Sequence, residues 1–169
     1  GPSFEVDGDH PVHNVNWHEA NAYCQWARMS LPTDLQFFHA VSPEGTRYPW
    51  GDDEPTPSHA NLAGEADGYG FSAPVGSFPD GVAPCGAYDL LGNLSEWTFD
   101  WRGAAPLPAE GDVVIDPRGR SRPQNLRNAW KSWRGSGWKS KKCKVGGPSA
   151  GTQLAAPATG FRLALAHPE

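Results

Sequence analysis

The sequence predicts an α+β fold in a single loop-rich domain. Helical patterns occur early in the chain, and short alternating segments occur late. Between them, 20 glycines and 17 prolines interrupt the 169 residues far more often than a helical bundle would allow. A hydrophobic content of 38%, with eight tryptophans, is enough to fill one core. We therefore expect residues 1–169 to form one domain of two helices, short strands and long loops.

Two helices are predicted in the first quarter of the chain. The first covers residues 17–29 with Asn16 as its N-cap, and its apolar face is formed by the residues at helical spacing, Ala20, Tyr23, Cys24 and Ala27. The second begins after Thr33, whose hydroxyl suits an N-cap, and ends at Val41. Its apolar face is expected to hold Leu35, Phe37 and Phe38.

The remainder is predicted to be loops and short strands. Residues 42–89 show no sustained periodicity, which indicates a long ordered loop region. Loops of that length are uncommon in compact domains unless something holds them, and bound calcium would do so. Strands are expected over residues 94–99, 132–138 and 160–166. In the last of these, one face is expected to carry Phe161, Leu163 and Leu165.

The segment 86–97 places oxygen donors beside a turn-forming pair, Gly92 and Asn93. Both residues tolerate positive φ, so the backbone can fold back on itself. The Asn93 amide oxygen, the Glu96 carboxylate and the intervening carbonyls could then converge on one hard cation, for which calcium is the natural candidate. The alternative interpretation is an ordinary turn with a solvated Glu96.

A second segment, just upstream, repeats this chemistry. Asn61 and Asp67 supply side-chain oxygens, and main-chain carbonyls are available at Leu62 and Tyr69. Gly68 permits the tight path that such a cage needs. The alternative here is an ordinary glycine-rich loop.

A series of short motifs runs in order along nearly the whole chain. It includes Ala20-Asn21-Ala22-Tyr23-Cys24, Leu31-Pro32-Thr33, Tyr48-Pro49-Trp50-Gly51, Gly92-Asn93-Leu94-Ser95-Glu96-Trp97, Arg134-Gly135-Ser136-Gly137-Trp138 and Gly160-Phe161-Arg162. Each motif is weak alone, but their order resembles the formylglycine-generating enzyme (sulfatase-modifying factor) family. The resemblance implies a modified C-type-lectin-like fold. It also implies two calcium sites, one at Asn61, Leu62, Asp67 and Tyr69, the other at Gly92, Asn93, Leu94 and Glu96.

The same resemblance bears on catalysis. Catalytic members of the family hold copper through two cysteines that follow the Arg-Gly-Gly-Ser-aromatic motif, because paired thiolates suit Cu(I). With Trp138 as the aromatic, the two positions here are Ser140 and Val145, and Cys143 lies between them. Neither position holds a thiol, so the resemblance favours a non-catalytic member. The competing function is a copper-dependent oxidase that converts a sulfatase cysteine to formylglycine.

Charge is divided unevenly along the chain, whose net charge is −5. Residues 1–100 hold most of the acidic groups, whereas all five lysines lie within residues 130–144, together with three tryptophans. This composition suits a binding face for a protein or another macromolecular ligand, predicted at Trp130, Trp133, Lys139, Lys141, Lys142 and Lys144. The alternative is a solvated loop that balances the acidic half. The negative net charge disfavours nucleic acid as the ligand.

The sequence therefore predicts a calcium-stabilised recognition module. Lectin-like relatives of the family serve as variable ligand-binding proteins of diversity-generating retroelements and as sensor domains, and the chain resembles either kind. No run of 18 apolar residues is present, so no membrane span is expected. Gly1-Pro2 resembles a protease-cleavage scar.

Overall fold

Two helices precede a small mixed sheet in this α+β fold, as predicted. The computed structural model describes residues 8–102, 129–142, 149–150 and 154–165. The helices are α1 (Trp17–Trp26) and α2 (Asp34–Val41), and a short 3₁₀ turn covers Pro79–Gly81. The strands are β1 (Ser95–Trp101), β2 (Lys131–Arg134), β3 (Ser149–Ala150) and β4 (Thr159–Phe161).

Helix α1 begins where the sequence predicts but ends earlier. The Asn16 side chain accepts a hydrogen bond from the Glu19 N–H, and the Glu19 carboxylate accepts one from the Asn16 N–H, which forms a capping box. Arg28 has a φ of +56°, so the helix cannot continue to residue 29. The buried face holds Trp17, Ala20 and Cys24. The expectation that Tyr23 is buried was wrong, because its side chain is 49% exposed on the outer side of the helix.

Helix α2 has the predicted bounds and cap. The Thr33 hydroxyl accepts from the Gln36 N–H, and the Gln36 side chain accepts from the Thr33 N–H. Its buried face is formed by Asp34, Phe37 and Val41 rather than by the predicted Leu35 and Phe38, which are only partly buried. The helix is rotated this way because the Asp34 carboxylate enters a polar cluster beneath the sheet.

The sheet has the strand order β3-β2-β1-β4. Strands β1 and β2 pair antiparallel, with Trp97 opposite Trp133, and β4 runs parallel to β1. Strand β2 ends at Arg134 instead of residue 138, because Gly135 turns the chain at a φ of +71°. Strand β4 ends at Phe161 instead of residue 166, although Ala164 still bridges to Ser30.

The predicted apolar face of the last strand does not form. Leu163 is 39% exposed and Leu165 is 82% exposed. The irregular segment 42–89 is nevertheless part of the core, because Tyr48 and Ala83 pack in one cluster with Phe37 and Val41 of helix α2. A second cluster lies between α1 and β1, and it is formed by Trp17, Ala20, Cys24, Leu31 and Trp97. Among the described residues, no helix is long and apolar enough to cross a membrane.

A buried polar cluster joins α2 to the sheet. The Asp34 carboxylate accepts hydrogen bonds from the Thr98 hydroxyl at 2.6 Å and the Ser132 hydroxyl at 3.2 Å, and it forms an ion pair with Arg134. The Asp34 N–H donates to the Asp100 carboxylate. Asp34 and Arg134 are only 1% and 5% exposed, so this pair is fully enclosed by the fold.

Candidate functional site

The first predicted calcium site, in the loop 61–69 (the first corner), contains a buried oxygen with no hydrogen-bond partner among the described residues. Asn61 is fully buried, and its Nδ2 donates to the Phe71 carbonyl at 2.7 Å. Its Oδ1 accepts no hydrogen bond within the part of the chain that the structure describes. Leaving a buried amide oxygen unpaired costs on the order of 1–3 kcal/mol. This atom therefore lacks the stabilising contact that buried polar groups normally have.

Asp67 closes the loop that follows Asn61. Its Oδ2 accepts from the Leu62 N–H and its Oδ1 from the Tyr69 N–H, both at 3.0 Å. Gly68 takes a φ of +90° between them, the conformation for which the sequence analysis singled it out. The structure thus brings the four predicted residues into one loop, which offers amide, carboxylate and carbonyl oxygens. Calcium prefers this set of donors.

At the second predicted calcium site, residues 92–96 (the second corner), the predicted turn forms, but the Asn93 side chain is hydrogen-bonded to the Ala73 main chain. Gly92 and Asn93 take φ values of +90° and +60°. The Asn93 Oδ1 accepts from the Ala73 N–H at 2.9 Å, and its Nδ2 donates to the Ala73 carbonyl at 3.1 Å. The Asn93 N–H donates to the Asn61 carbonyl at 2.8 Å. The prediction of Asn93 as a side-chain ligand therefore lacks support, because its amide is already hydrogen-bonded to the loop at Ala73.

Glu96 is buried at this corner and is paired with an arginine. The Arg162 guanidinium donates to both Glu96 carboxylate oxygens, and it also donates to the Tyr88 carbonyl at 3.0 Å. Burial raises the pKa of Glu96, Arg162 opposes that rise, and the nearby Asp89 carboxylate adds to it. Burial also raises the pKa of Asp89, whose Oδ2 accepts from the Gly76 N–H at 2.8 Å.

These groups face a cavity of about 240 Å³, and only some of the residues that line it were predicted as ligands from the sequence. Its polar lining includes Asp89, Glu96 and Arg162. Asp89 was missed as a candidate ligand, because the turn residue Asn93 was predicted instead of this carboxylate, which lies seven residues before Glu96. Its φ of +57° turns the backbone at the edge of this cavity. Arg162 was noticed as part of a motif but was given no role, because its pairing with Glu96 spans 66 residues.

The turn that carries Lys139, Lys141 and Lys142 rests on both corners. The Trp138 N–H donates to the Asn93 carbonyl at 2.8 Å, and the Ala63 N–H donates to the Ser140 carbonyl at 3.0 Å. The Trp138 ring also contacts Phe71 edge-on, with 5.3 Å between ring centres. All three lysines are exposed. A change in the loops at the corners would therefore move the lysine-bearing turn.

The residues of the predicted binding face are divided between two parts of the molecule. Trp133 packs against Trp97 at 5.2 Å in the cluster beside α1, and Trp130 is partly buried under Arg102. Lys141 and Lys142 instead line a groove of about 500 Å³ opposite the loop 47–55. The binding-face residues are separated because the chain turns at Gly135 and leaves the sheet after this residue. The predicted ligand residue Lys144 lies outside the described residues.

At the first copper position, the Ser140 main chain is held in this turn. Its N–H donates to the Gly137 carbonyl at 2.8 Å. Val145 and Cys143 lie outside the described residues. In the described ranges, Cys24 is buried on the inner face of α1, Cys85 is exposed, and no group of three or more His, Cys, Asp or Glu side chains converges. The serine at this position does not suit Cu(I), which requires soft ligands.

Comparison with known proteins supports the family resemblance. The chain is 36% identical over 149 residues to the hercynine oxygenase of Mycobacterium tuberculosis, an alignment that covers 76% of this chain and 34% of that protein. It is 37% identical over 134 residues to the formylglycine-generating enzyme of Thermomonospora curvata, covering 70% of this chain and 43% of that enzyme. The chain thus spans well under half the length of these relatives.

Solved structures with much lower sequence identity to the chain share its fold. Treponema denticola variable protein 1 superimposes with a TM-score of 0.72 at 20% identity, covering 97% of this chain and 74% of that protein. At this identity the likeness concerns the fold alone. The family model of the sulfatase-modifying factor enzyme 1-like domain matches residues 1–167. The chain therefore belongs to the family of sulfatase-modifying factor enzyme 1-like domains.

Proposed function

We propose that this chain is a calcium-stabilised recognition module that binds a protein partner and does not oxidise cysteine. The observation that carries the proposal is the turn at residues 138–142. Where catalytic relatives are expected to hold a copper-binding thiol, this turn has Ser140, and beside it two lysines are exposed to solvent. Such a turn is suited to contacting a partner rather than to holding Cu(I).

Calcium is proposed at the first corner because the residues present fit it. The unpaired Asn61 Oδ1 would gain a partner, and Asp67 would supply the negative charge. Carbonyls of Leu62 and Tyr69 would complete the protein's contribution. Bound there, calcium would supply a fixed positive charge that holds the loop against the turn at Ser140.

At the second corner we propose a revised set of ligands. Asp89 takes the place of Asn93, together with Glu96 and the carbonyls of Gly92 and Leu94. The support is the cavity that Asp89 and Glu96 line, where two carboxylates face one arginine. A cation would neutralise the charge that Arg162 alone leaves unbalanced.

The competing oxidase is tested with copper and a substrate. Purified protein is titrated with Cu(I), and a sulfatase-type peptide containing cysteine is analysed by mass spectrometry for conversion to formylglycine. We expect no stoichiometric copper and no product. The matched variant Ser140→Cys/Val145→Cys restores the thiol pair and is expected to bind Cu(I), which shows that the assay can detect a site. Copper binding with turnover by the unaltered chain would refute the proposal.

Recognition itself is tested by selecting peptides from a random display library on the immobilised, calcium-loaded protein. Enrichment of related peptides that bind in solution is the expected result. The selection starts from random peptides because the fold shared with Treponema denticola variable protein 1 does not identify a ligand. Failure to enrich any peptide above an unrelated control protein would contradict the proposed role.

A further inference from the structure

We propose that the groove between the loop 47–55 and the Lys141–Lys142 pair binds an acidic segment of a protein partner. This inference rests on the proposed function and names the kind of partner. The groove has a volume of about 500 Å³, within the range of about 300–1,000 Å³ typical of ligand pockets. Its walls come from segments more than 80 residues apart in the chain, so folding alone brings them together.

The charge of the groove is positive although the whole chain is negative. Arg47 and Glu54 form an ion pair at 2.8 Å and largely cancel each other. Lys141 and Lys142 are exposed and form no ion pair with any described residue, so the described lining carries two more positive than negative charges. Against a net charge of −5, this concentration attracts an acidic ligand to one place on the surface.

Both walls are held in position before any ligand arrives. On one side the Tyr48 and Gly51 main chains exchange two hydrogen bonds, and the Tyr48 ring stacks on Trp50 with 5.2 Å between centres. On the other side the Ser136 hydroxyl donates to the Lys142 carbonyl at 3.3 Å. A preformed site loses less conformational entropy on binding.

The lining chemistry favours a peptide over a phosphate or sulfate. Between the charges lie apolar surfaces of Pro55 and Leu62. The Arg47 guanidinium, the only planar fork among the described lining residues, is already paired with Glu54. Lysines act as point charges and suit separate carboxylates, while the apolar surface suits the aliphatic side chains between them. A segment that alternates acidic and aliphatic residues fits both features.

The test uses a fluorescein-labelled peptide, Asp-Leu-Glu-Asp-Leu-Glu, and measures its binding by fluorescence anisotropy at 50 mM salt. The variant Lys141→Glu/Lys142→Glu is compared with Arg28→Glu/Arg102→Glu, which changes the net charge equally at two exposed arginines outside the groove. We expect at least tenfold weaker binding for the groove variant and less than twofold weakening for the control. Melting curves establish that both variants fold.

Other probes separate the remaining ligand classes. The amide peptide Asn-Leu-Gln-Asn-Leu-Gln is expected not to bind, and the all-acidic peptide of six glutamates is expected to bind more weakly than the mixed one. Equal loss in both double variants would overturn the inference, since only diffuse charge would then matter. Tighter binding of a sulfated oligosaccharide than of the peptide would also overturn it. If peptides selected from the display library bind the groove variant normally, the groove is wrong but recognition stands; if none is selected, recognition itself fails.

Discussion

The polar cluster at Asp34 and the loop corner at Asn61 are both buried, but only the first has its side-chain acceptors fully used. Each Asp34 carboxylate oxygen accepts at least one hydrogen bond, and Arg134 balances its charge. At the corner, Asn61 is equally buried, yet its Oδ1 has no partner among the described residues. The cluster lies between a helix and the sheet, whereas the corner lies between irregular loops.

The difference separates the scaffold from its proposed ligand sites. Buried polar groups that are fully paired fix one arrangement of the elements around them. A buried acceptor without a partner is destabilising until something binds it. We therefore expect the Asp34 cluster to hold α2 to the sheet with or without calcium, and the Asn61 corner to stabilise the fold only with calcium.

The largest effect is expected from Asp34→Ala. Removing the carboxylate leaves Arg134 buried without its ion-pair partner Asp34, which typically costs about 3–5 kcal/mol. Urea unfolding should show this loss with and without calcium. The control Asp53→Ala, at an exposed carboxylate, should change the free energy of unfolding by less than about 0.5 kcal/mol. A loss below about 1 kcal/mol for Asp34→Ala would mean that the cluster does not hold α2 to the sheet.

The next effect concerns calcium and compares two buried asparagines. At a calcium concentration of 100 times its Kd, binding at the first corner alone should give the unaltered chain a gain of about 2.7 kcal/mol, apart from any gain at the second corner. Asn61→Ala should abolish most of that gain. Asn93→Ala should destabilise the protein equally with and without calcium, because its amide bonds to the Ala73 main chain. If calcium stabilises Asn61→Ala as much as the unaltered chain, the first corner is not a calcium site.

The features that the sequence predicted correctly depend on neighbouring residues. The caps at Asn16 and Thr33 form within four residues. The errors arose where distant contacts decide. The buried face of α2 follows Asp34 because its partners lie 64 to 100 residues away. Asn93 turns from the second corner because Ala73, 20 residues upstream, takes both ends of its amide.

Lys131, the one lysine that was not assigned to the predicted binding face, also shows how distant contacts decide. The register of β2 against β1 leaves Lys131 only 5% exposed. Its Nζ donates to the Phe99 carbonyl at 2.7 Å and lies 3.8 Å from the Trp17 ring centre and 4.2 Å from that of Trp101. No local pattern distinguishes this lysine from the exposed ones at Lys141 and Lys142.

Lys131 therefore leads to a pH prediction of intermediate size. Burial lowers its pKa from 10.5 to about 8, although Asp100 favours the charged form. Between these values the unfolded chain binds a proton that the folded chain does not, so the free energy of unfolding rises with pH. We expect a gain of about 2 kcal/mol between pH 8 and 10.5, because the aromatic rings partly favour the charged amine.

Two lysine variants isolate this contribution. Lys131→Met should remove the rise in stability over that pH range, whereas Lys139→Met, at an exposed lysine, should keep it. Chemical denaturation at half-unit pH steps measures both. An identical pH dependence in Lys131→Met and the unaltered chain would show that the amine stays charged in the folded state.

The smallest effect should come from the second corner, and calcium should reverse its direction. Burial raises the pKa values of Asp89 and Glu96 above their ordinary values of 3.8 and 4.5. Above those values the folded chain binds more protons than the unfolded chain, so calcium-free stability should fall as pH rises through the range just above 4.5. The decline should be below about 1 kcal/mol and smaller in Asp89→Asn, while Asp80→Asn, at an exposed carboxylate, should retain it.

Because calcium binds the deprotonated carboxylates, saturating calcium should make stability rise over the same range. A decline that calcium leaves unchanged, with Asp89→Asn responding to calcium like the unaltered chain, would show that the corner is held by Arg162 alone.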